Sequence, residues 1–145
     1  MTQRIILDTN AVSELMQQEL NPDFEAWYSK VPRRLIFTTA ITLSEMMFGV
    51  CKLPEGKHKR FLHQQARTIM DEFVKRTYDF NAMAAIEYGD IFAQRKRMGR
   101  PTDVQDAQIA AIARANDCIV ATRNVKDFED VGVPLINPWE HDVAV

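Results

Sequence analysis

Short apolar runs of strand length recur along this chain, each followed by a longer stretch whose apolar residues fall at helical spacing. That alternation restricts it to an α/β fold on a parallel sheet, with helices on both faces. Residues 4–7 read as a short buried strand ending at Asp8, and 11–16 as a helix capped by Asp8 or Asn10. A second helix over 22–30 carries Trp27, and 35–39 is a β-branched and aromatic run suited to a strand. A helix over about 42–51 follows. Residues 61–75 and 82–98 both show helical spacing, for instance at Phe61, Leu62, Ile69, Met70 and Phe73, and can pair as a hairpin. Between them 77–80 suits a short strand, with Asn81 as the next cap. Thr102-Asp103-Val104-Gln105 has the form of a capping box opening a helix to about 116. A strand over 118–122, a helical turn over 125–130 and a last strand over 133–136 complete the pattern. Ligands bind such sheets at the carboxyl ends of their strands, so Asp8 and the 122–124 turn should lie together.

With 145 residues, 46% of them apolar, the chain can close one hydrophobic core, and a single domain over 1–145 is expected. No repeat, low-complexity tract or block of like charge marks a linker. Ile5-Ile6-Leu7 is too short for a secretory signal and no segment reaches membrane-span length, so a cytoplasmic protein without a membrane partner is expected. Cys51 and Cys118 lie in apolar surroundings without ligand spacing, which favours reduced core thiols over zinc; His58, His63 and His141 are isolated. A net charge of −2 opposes nucleic-acid binding by bulk attraction. Two local clusters are basic all the same: Lys52, Lys57, Lys59 and Arg60, then Arg95, Lys96, Arg97 and Arg100. On their own these read as solvated helix faces and loop ends.

Several acids look out of place. Glu45 is the sole charged residue between Arg34 and Lys52, so its helix should be largely buried and its carboxyl either protonated or paired with a cation. Asp106 falls three and four residues before Ile109 and Ala110, on the stripe continued by Ala113, and so points toward the core side. Its favourable place near a helix N-terminus is the blander explanation, and the better one for Asp103, which has an obvious capping role, whereas Asp106 lies one turn further in. Asp8 ends a strand, though an acid before a helix is also an ordinary cap. Asp127 sits in a turn where an acid needs no explanation. Taken together, these acids come from four separate segments. Two carboxylates about 4 Å apart repel by about 4 kcal/mol at an effective dielectric near 20, so such a cluster demands protons or cations. All-oxygen ligation selects Mg²⁺ or Mn²⁺. Such ions polarise a phosphoryl oxygen and lower the pKa of a bound water, which is phosphodiester hydrolysis without a nucleophilic side chain.

Ile5-Ile6-Leu7-Asp8-Thr9-Asn10, Ser13-Glu14-Leu15, Ser44-Glu45, Asp106-Ala107-Gln108-Ile109-Ala110-Ala111, Ala121-Thr122-Arg123-Asn124 and Asn137-Pro138-Trp139, in that order, resemble PIN domains of the VapC and FitB toxin group. The resemblance implies a three-layer α/β/α sandwich around a parallel sheet. It also implies a Mg²⁺- or Mn²⁺-dependent endoribonuclease, the toxin of a two-gene toxin–antitoxin pair. A cognate VapB-like antitoxin would hold it inactive with a C-terminal segment in the active-site groove. A homodimer is implied too, reaching operator DNA through the antitoxin complex. Carried over by position, Asp8, Glu45 and Asp106 match the three central acids and metal ligands. The fourth position has two candidates: Asn124, expected to orient a ligand or water, and Asp127, expected to supply the outer carboxylate. Thr9, Asn10 and Thr122 could hold a water or the scissile phosphate, or serve only as turn and cap residues. Under this resemblance the basic clusters become RNA-backbone contacts that offset the acidic centre.

Three rivals remain in view. A phosphotransfer domain with an Asp at a strand end is opposed by Asn10, where a phosphatase pattern wants Asp, and by the lack of an acid pair after the first strand that a receiver needs. A non-catalytic binding module would use the acids as caps and ion pairs. A deoxyribonuclease would share the same metal chemistry.

Overall fold

A computed structural model describes residues 3–140; His141 lies outside them. The elements are β1 (Ile5–Leu7), α1 (Thr9–Leu15), α2 (Pro22–Lys30), β2 (Ile36–Thr39), α3 (Ala40–Cys51), α4 (Lys57–Phe73), β3 (Thr77–Tyr78), α5 (Ala82–Arg97), α6 (Val104–Ala115), β4 (Ile119–Ala121) and β5 (Leu135–Ile136). Short 3₁₀ turns span Arg33–Leu35 and Val125–Phe128. The five strands pair in the order β3-β2-β1-β4-β5, all parallel, with Ile5 opposite both Ile36 and Ile119. The expected α/β architecture is therefore present, with β1 at the centre.

Strand alternation divides the core in two. Ile5, Leu7, Ile36, Ile119, Ala121 and Ile136 face one side, against α1, Phe24 and Tyr28 of α2, Met46 and Val50 of α3, and Ala66, Ile69 and Phe73 of α4. Ile6 and Val120 face the other, against Ile91 of α5 and the nearly continuous buried run Ala107–Ala113 of α6. Period-two strands sandwiched between helices on both faces are the three-layer solution to burying both sides of a sheet. Both expected partners of the hairpin exist, but α4 and α5 do not pair with each other. α4 packs beside α3 and α5 beside α6, because β3 intervenes and sends the two helices to opposite faces.

Local chemistry shifts several boundaries. Asp8 caps α1, accepting from the Ala11 amide at 2.9 Å, so the helix starts at Thr9 and Asn10 is inside it. Thr39 accepts from the Thr42 amide at 3.1 Å and begins α3 at Ala40. α4 begins four residues before its apolar stripe: Gly56 has a φ of 152° and admits the chain to a polar first turn in which Lys57, His58 and Arg60 are exposed and Lys59 is half-buried. The capping box is corrected by one residue. Asp103, not Thr102, is the cap of α6, accepting from the Asp106 amide at 2.7 Å, because its carboxylate reaches the third amide of the helix. Cys118 is buried as expected, whereas Cys51 is exposed at the end of α3, on the face turned from the core.

Candidate active site

Strand register assembles the centre of the site. Leu7 lies opposite Ala121, so the next residues, Asp8 and Thr122, leave adjacent strands side by side. The Asp8 amide donates to the Ala121 carbonyl at 3.2 Å, and the Thr122 amide to the Ile136 carbonyl at 3.0 Å. The Thr122 hydroxyl donates to the Asp8 carboxylate and accepts from the Asn124 amide at 2.9 Å. Asp8 is only 3% exposed. Burial raises its pKa to about 6, against the lowering effect of the Thr122 hydroxyl and the Ala11 and Asn10 amides; the Glu45 charge raises it further.

Glu45 reaches the same place from α3. Only Thr42, Met46 and Val50 of that helix are buried, while Phe48 is 67% exposed, so the expectation of a largely buried helix is corrected. The apolar run meant one buried stripe and an uncovered apolar face. Glu45 is half-buried and accepts a 2.5 Å hydrogen bond from the Thr9 hydroxyl. Of the two alternatives expected for Glu45, protonation or a cationic partner, the partner is not found among the described residues, since the ion pairs there involve other acids.

Asp106, in the first turn of α6, is half-buried. Desolvation raises its pKa to about 7, followed by the charges of Asp103, Asp127, Asp8 and Glu45 in that order. That ranking places the acids of four segments within electrostatic reach of one another. Asp127 stands half-buried on the Val125–Phe128 turn. Asn124 precedes that turn, exposed, without a side-chain capping bond. Asn10 is exposed on α1.

A divalent cation fits this donor set chemically. Asp8, Glu45, Asp106 and Asp127 are all oxygen donors, none is neutralised by an ion pair among the described residues, and two are held well above the ordinary carboxyl range. No three acidic, histidine or cysteine side chains among the described residues enclose an ion unaided. An open, partly hydrated arrangement suits Mg²⁺, which keeps several waters and takes only one or two carboxylates directly.

Two features escaped the sequence. Glu14 is a latch: its carboxylate accepts from the Trp139 indole at 3.1 Å and the Asn21 amide at 2.9 Å, and lies 3.6 Å from the Arg123 guanidinium, which stacks on Trp139. Helical spacing places Glu14 on α1 but cannot bring it to residue 139. The second basic cluster also divides. Lys96, Arg97 and Arg100 are exposed, but Arg95 is 3% exposed, because α5 turns it under the 126–129 loop. It cannot be an RNA-backbone contact. A groove of about 190 Å³ runs from Thr9 and Glu45 over Met16, Met46, Val50 and Leu62, between α1, α3 and α4.

The sequence matches the PIN domain over residues 5–134. It is 35% identical over 137 residues to the VapC ribonuclease Y4jK of Sinorhizobium fredii, covering 94% of this chain and 98% of that protein. It is 34% identical over 139 residues to toxin FitB of Neisseria gonorrhoeae, covering 95% and 99% respectively. The solved structure of FitAB bound to a DNA fragment superposes with a TM-score of 0.87 at 34% identity, over 94% of this chain and 96% of that one. With strand order and similarity over 94–95% of the chain in agreement, the chain belongs to the PIN domain family, in the group of the VapC and FitB proteins.

Proposed function

We propose that this protein is a Mg²⁺- or Mn²⁺-dependent endoribonuclease, the toxin of a toxin–antitoxin pair, folded as one PIN domain over 1–145. The observation that carries this reading is that Asp8, Glu45, Asp106 and Asp127, from four segments, lie within electrostatic reach of one another and form no ion pair among the described residues. Its relatives' names, a VapC ribonuclease and toxin FitB, point to the same activity.

A bound Mg²⁺ or Mn²⁺ would supply Lewis-acid polarisation of the phosphodiester and a more acidic water. Asp8, Asp106 and Glu45 would hold it, with Asp127 as the outer carboxylate. Thr122 fixes one Asp8 oxygen, and the Ala11 amide fixes the Asp8 rotamer from the helix side. Thr9 orients Glu45 through its hydroxyl. Asn124 and Asn10, both exposed, would contact water or phosphate. The exposed cations Lys52, Lys57, Arg60, Lys96 and Arg97 suit contacts along the RNA backbone.

The groove from Glu45 over Met46, Val50 and Leu62 is the place for an inhibiting antitoxin segment, apolar along its floor and polar at the acidic end. The FitAB relative in complex with DNA supports that partnership and a route to operator DNA through the antitoxin. A homodimer completes the reading.

The test is cleavage of labelled total RNA and transfer RNA by purified, antitoxin-free protein with Mg²⁺ or Mn²⁺, beside chelator, a DNA substrate and Asp8→Ala. Loss of the Asp8 carboxylate should lower the rate by about two orders of magnitude or more, the scale of one preorganised transition-state contact. Cleavage indifferent to chelator and to Asp8 would refute the reading, and cleavage of DNA in preference to RNA would replace it with a deoxyribonuclease.

A further inference from the structure

Arg95 is buried to 3% exposure on α5 and makes no ion pair with an acid among the described residues. Burying a guanidinium is costly unless its protons are satisfied, and here main-chain oxygens take one proton from each terminal nitrogen. Nη1 donates to the Glu129 carbonyl at 2.9 Å and Nη2 to the Lys126 carbonyl at 3.0 Å. Those two carbonyls bracket Asp127: one immediately precedes it, the other lies two residues beyond. The fork is aimed so fully at this turn that Nε is buried without a hydrogen-bond partner among the described residues. Gln94, the preceding residue of α5, adds a 2.9 Å bond to the Asp130 carbonyl. The turn has no side-chain cap of its own, and the Asp127 amide donates to the Asn124 carbonyl at 3.0 Å.

A cation that grips the main chain on either side of an acid, rather than its carboxylate, fixes the acid's position and leaves its charge unspent. Resting on the reading of Asp127 as the outer carboxylate, we propose that Arg95 is a positioning residue for the metal centre, clamping the Val125–Phe128 turn so that Asp127 faces Asp106. Lysine cannot replace it fully, because one ammonium lacks the planar fork that spans two carbonyls.

The test compares Mn²⁺ affinity, by calorimetry and by the spin-resonance signal of free Mn²⁺, in the parent, Arg95→Met, Arg95→Lys, Asp127→Ala and the Arg95→Met/Asp127→Ala double variant. Arg95→Met should weaken binding by about tenfold or more, as loss of a partner behind a metal ligand does, and Arg95→Lys by less. Because Arg95 acts through Asp127, the double variant should bind no worse than Asp127→Ala. If Asp127→Ala weakens binding but Arg95→Met does not, or if the two losses multiply, the positioning role is overturned while the Asp127 reading survives. If Asp127→Ala binds Mn²⁺ like the parent, both fall. Should Arg95→Met fail to fold, Arg95→Lys carries the comparison, alone and with Asp127→Ala, by the same criterion.

Discussion

Asp106 carries the cost of the acidic centre most visibly, since desolvation and then four neighbouring charges hold its pKa near 7. A carboxyl whose folded pKa exceeds its unfolded value favours the folded state while protonated. That contribution is fully present below the unfolded value of about 4 and is lost as pH rises through about 7. Without metal, the protein should therefore lose stability between pH 4 and 7, and Asp8, near 6, should add to the loss. Asp106→Asn removes the charge and keeps the shape. Allowing for solvent screening at this half-open position, it should be about 1–2 kcal/mol more stable than the parent at pH 8 in chelator, with little difference at about pH 4, near the unfolded value. Urea unfolding at the two pH values checks this, and equal destabilisation at both would show that Asp106 is an ordinary helix residue. Mn²⁺ should reverse the order, stabilising the parent by about 2.7 kcal/mol at a hundred times its Kd and the variant by less. At this scale the sequence was informative because three acids sat in apolar or strand-end settings. Thr122 and Thr9 were visible as candidates, but their partners, Asp8 and Glu45, depend on strand register and helix placement that a linear pattern does not encode.

Helix starts show how caps and charges compete within one element. Asp103 holds the first turn of α6 by accepting from the Asp106 amide, yet its charge is the second cause of the raised Asp106 pKa. Asp103→Ala should cost about 1 kcal/mol at pH 5, where Asp106 is protonated and only the cap is lost. At pH 8 the relief of repulsion offsets part of that cost, so the measured loss should shrink. A penalty independent of pH would mean that Asp103 acts on α6 as a cap alone. The same element separates two readings of one stretch: the box at Thr102 suggested by a hydroxyl and a Gln three apart does not form, while the capping role expected of Asp103 does. α4 fails differently. Its first turn carries cations rather than apolar residues, so the periodic signal begins a turn late, at Phe61. The strands were legible in place along the chain, since β1, β4 and β5 are compact apolar runs and β2 is β-branched and aromatic. The pairing of α3 with α4 and α5 with α6 was not, since which face of the sheet a helix crosses to is decided by strand order.

At the scale of the whole molecule, the two half-cores take in nearly all the buried apolar residues among those described but leave others uncovered. Phe48 on α3 is 67% exposed, and Met83 and Ile86, one helical turn apart on α5, are 60% and 66% exposed. Residues three apart share a helix face, so Met83 and Ile86 present one apolar patch rather than scattered single side chains. The homodimer in the proposed function would cover such surface, and α5 is the helix whose far side anchors Arg95 beneath the acidic turn. The patch and the site are thus borne by one rigid element, yet they should be separable by substitution. Ile86→Asp places a charge where a second copy would have to desolvate it, which is expensive without a partner. The parent should sediment as a dimer at micromolar concentration and Ile86→Asp as a monomer, with Mn²⁺ affinity retained because no acid of the centre is touched. A monomeric parent, or a dimer indifferent to Ile86→Asp, would remove α5 from the interface. A monomer that also loses Mn²⁺ would mean instead that assembly helps hold the acidic centre, tying oligomeric state to metal loading through α5.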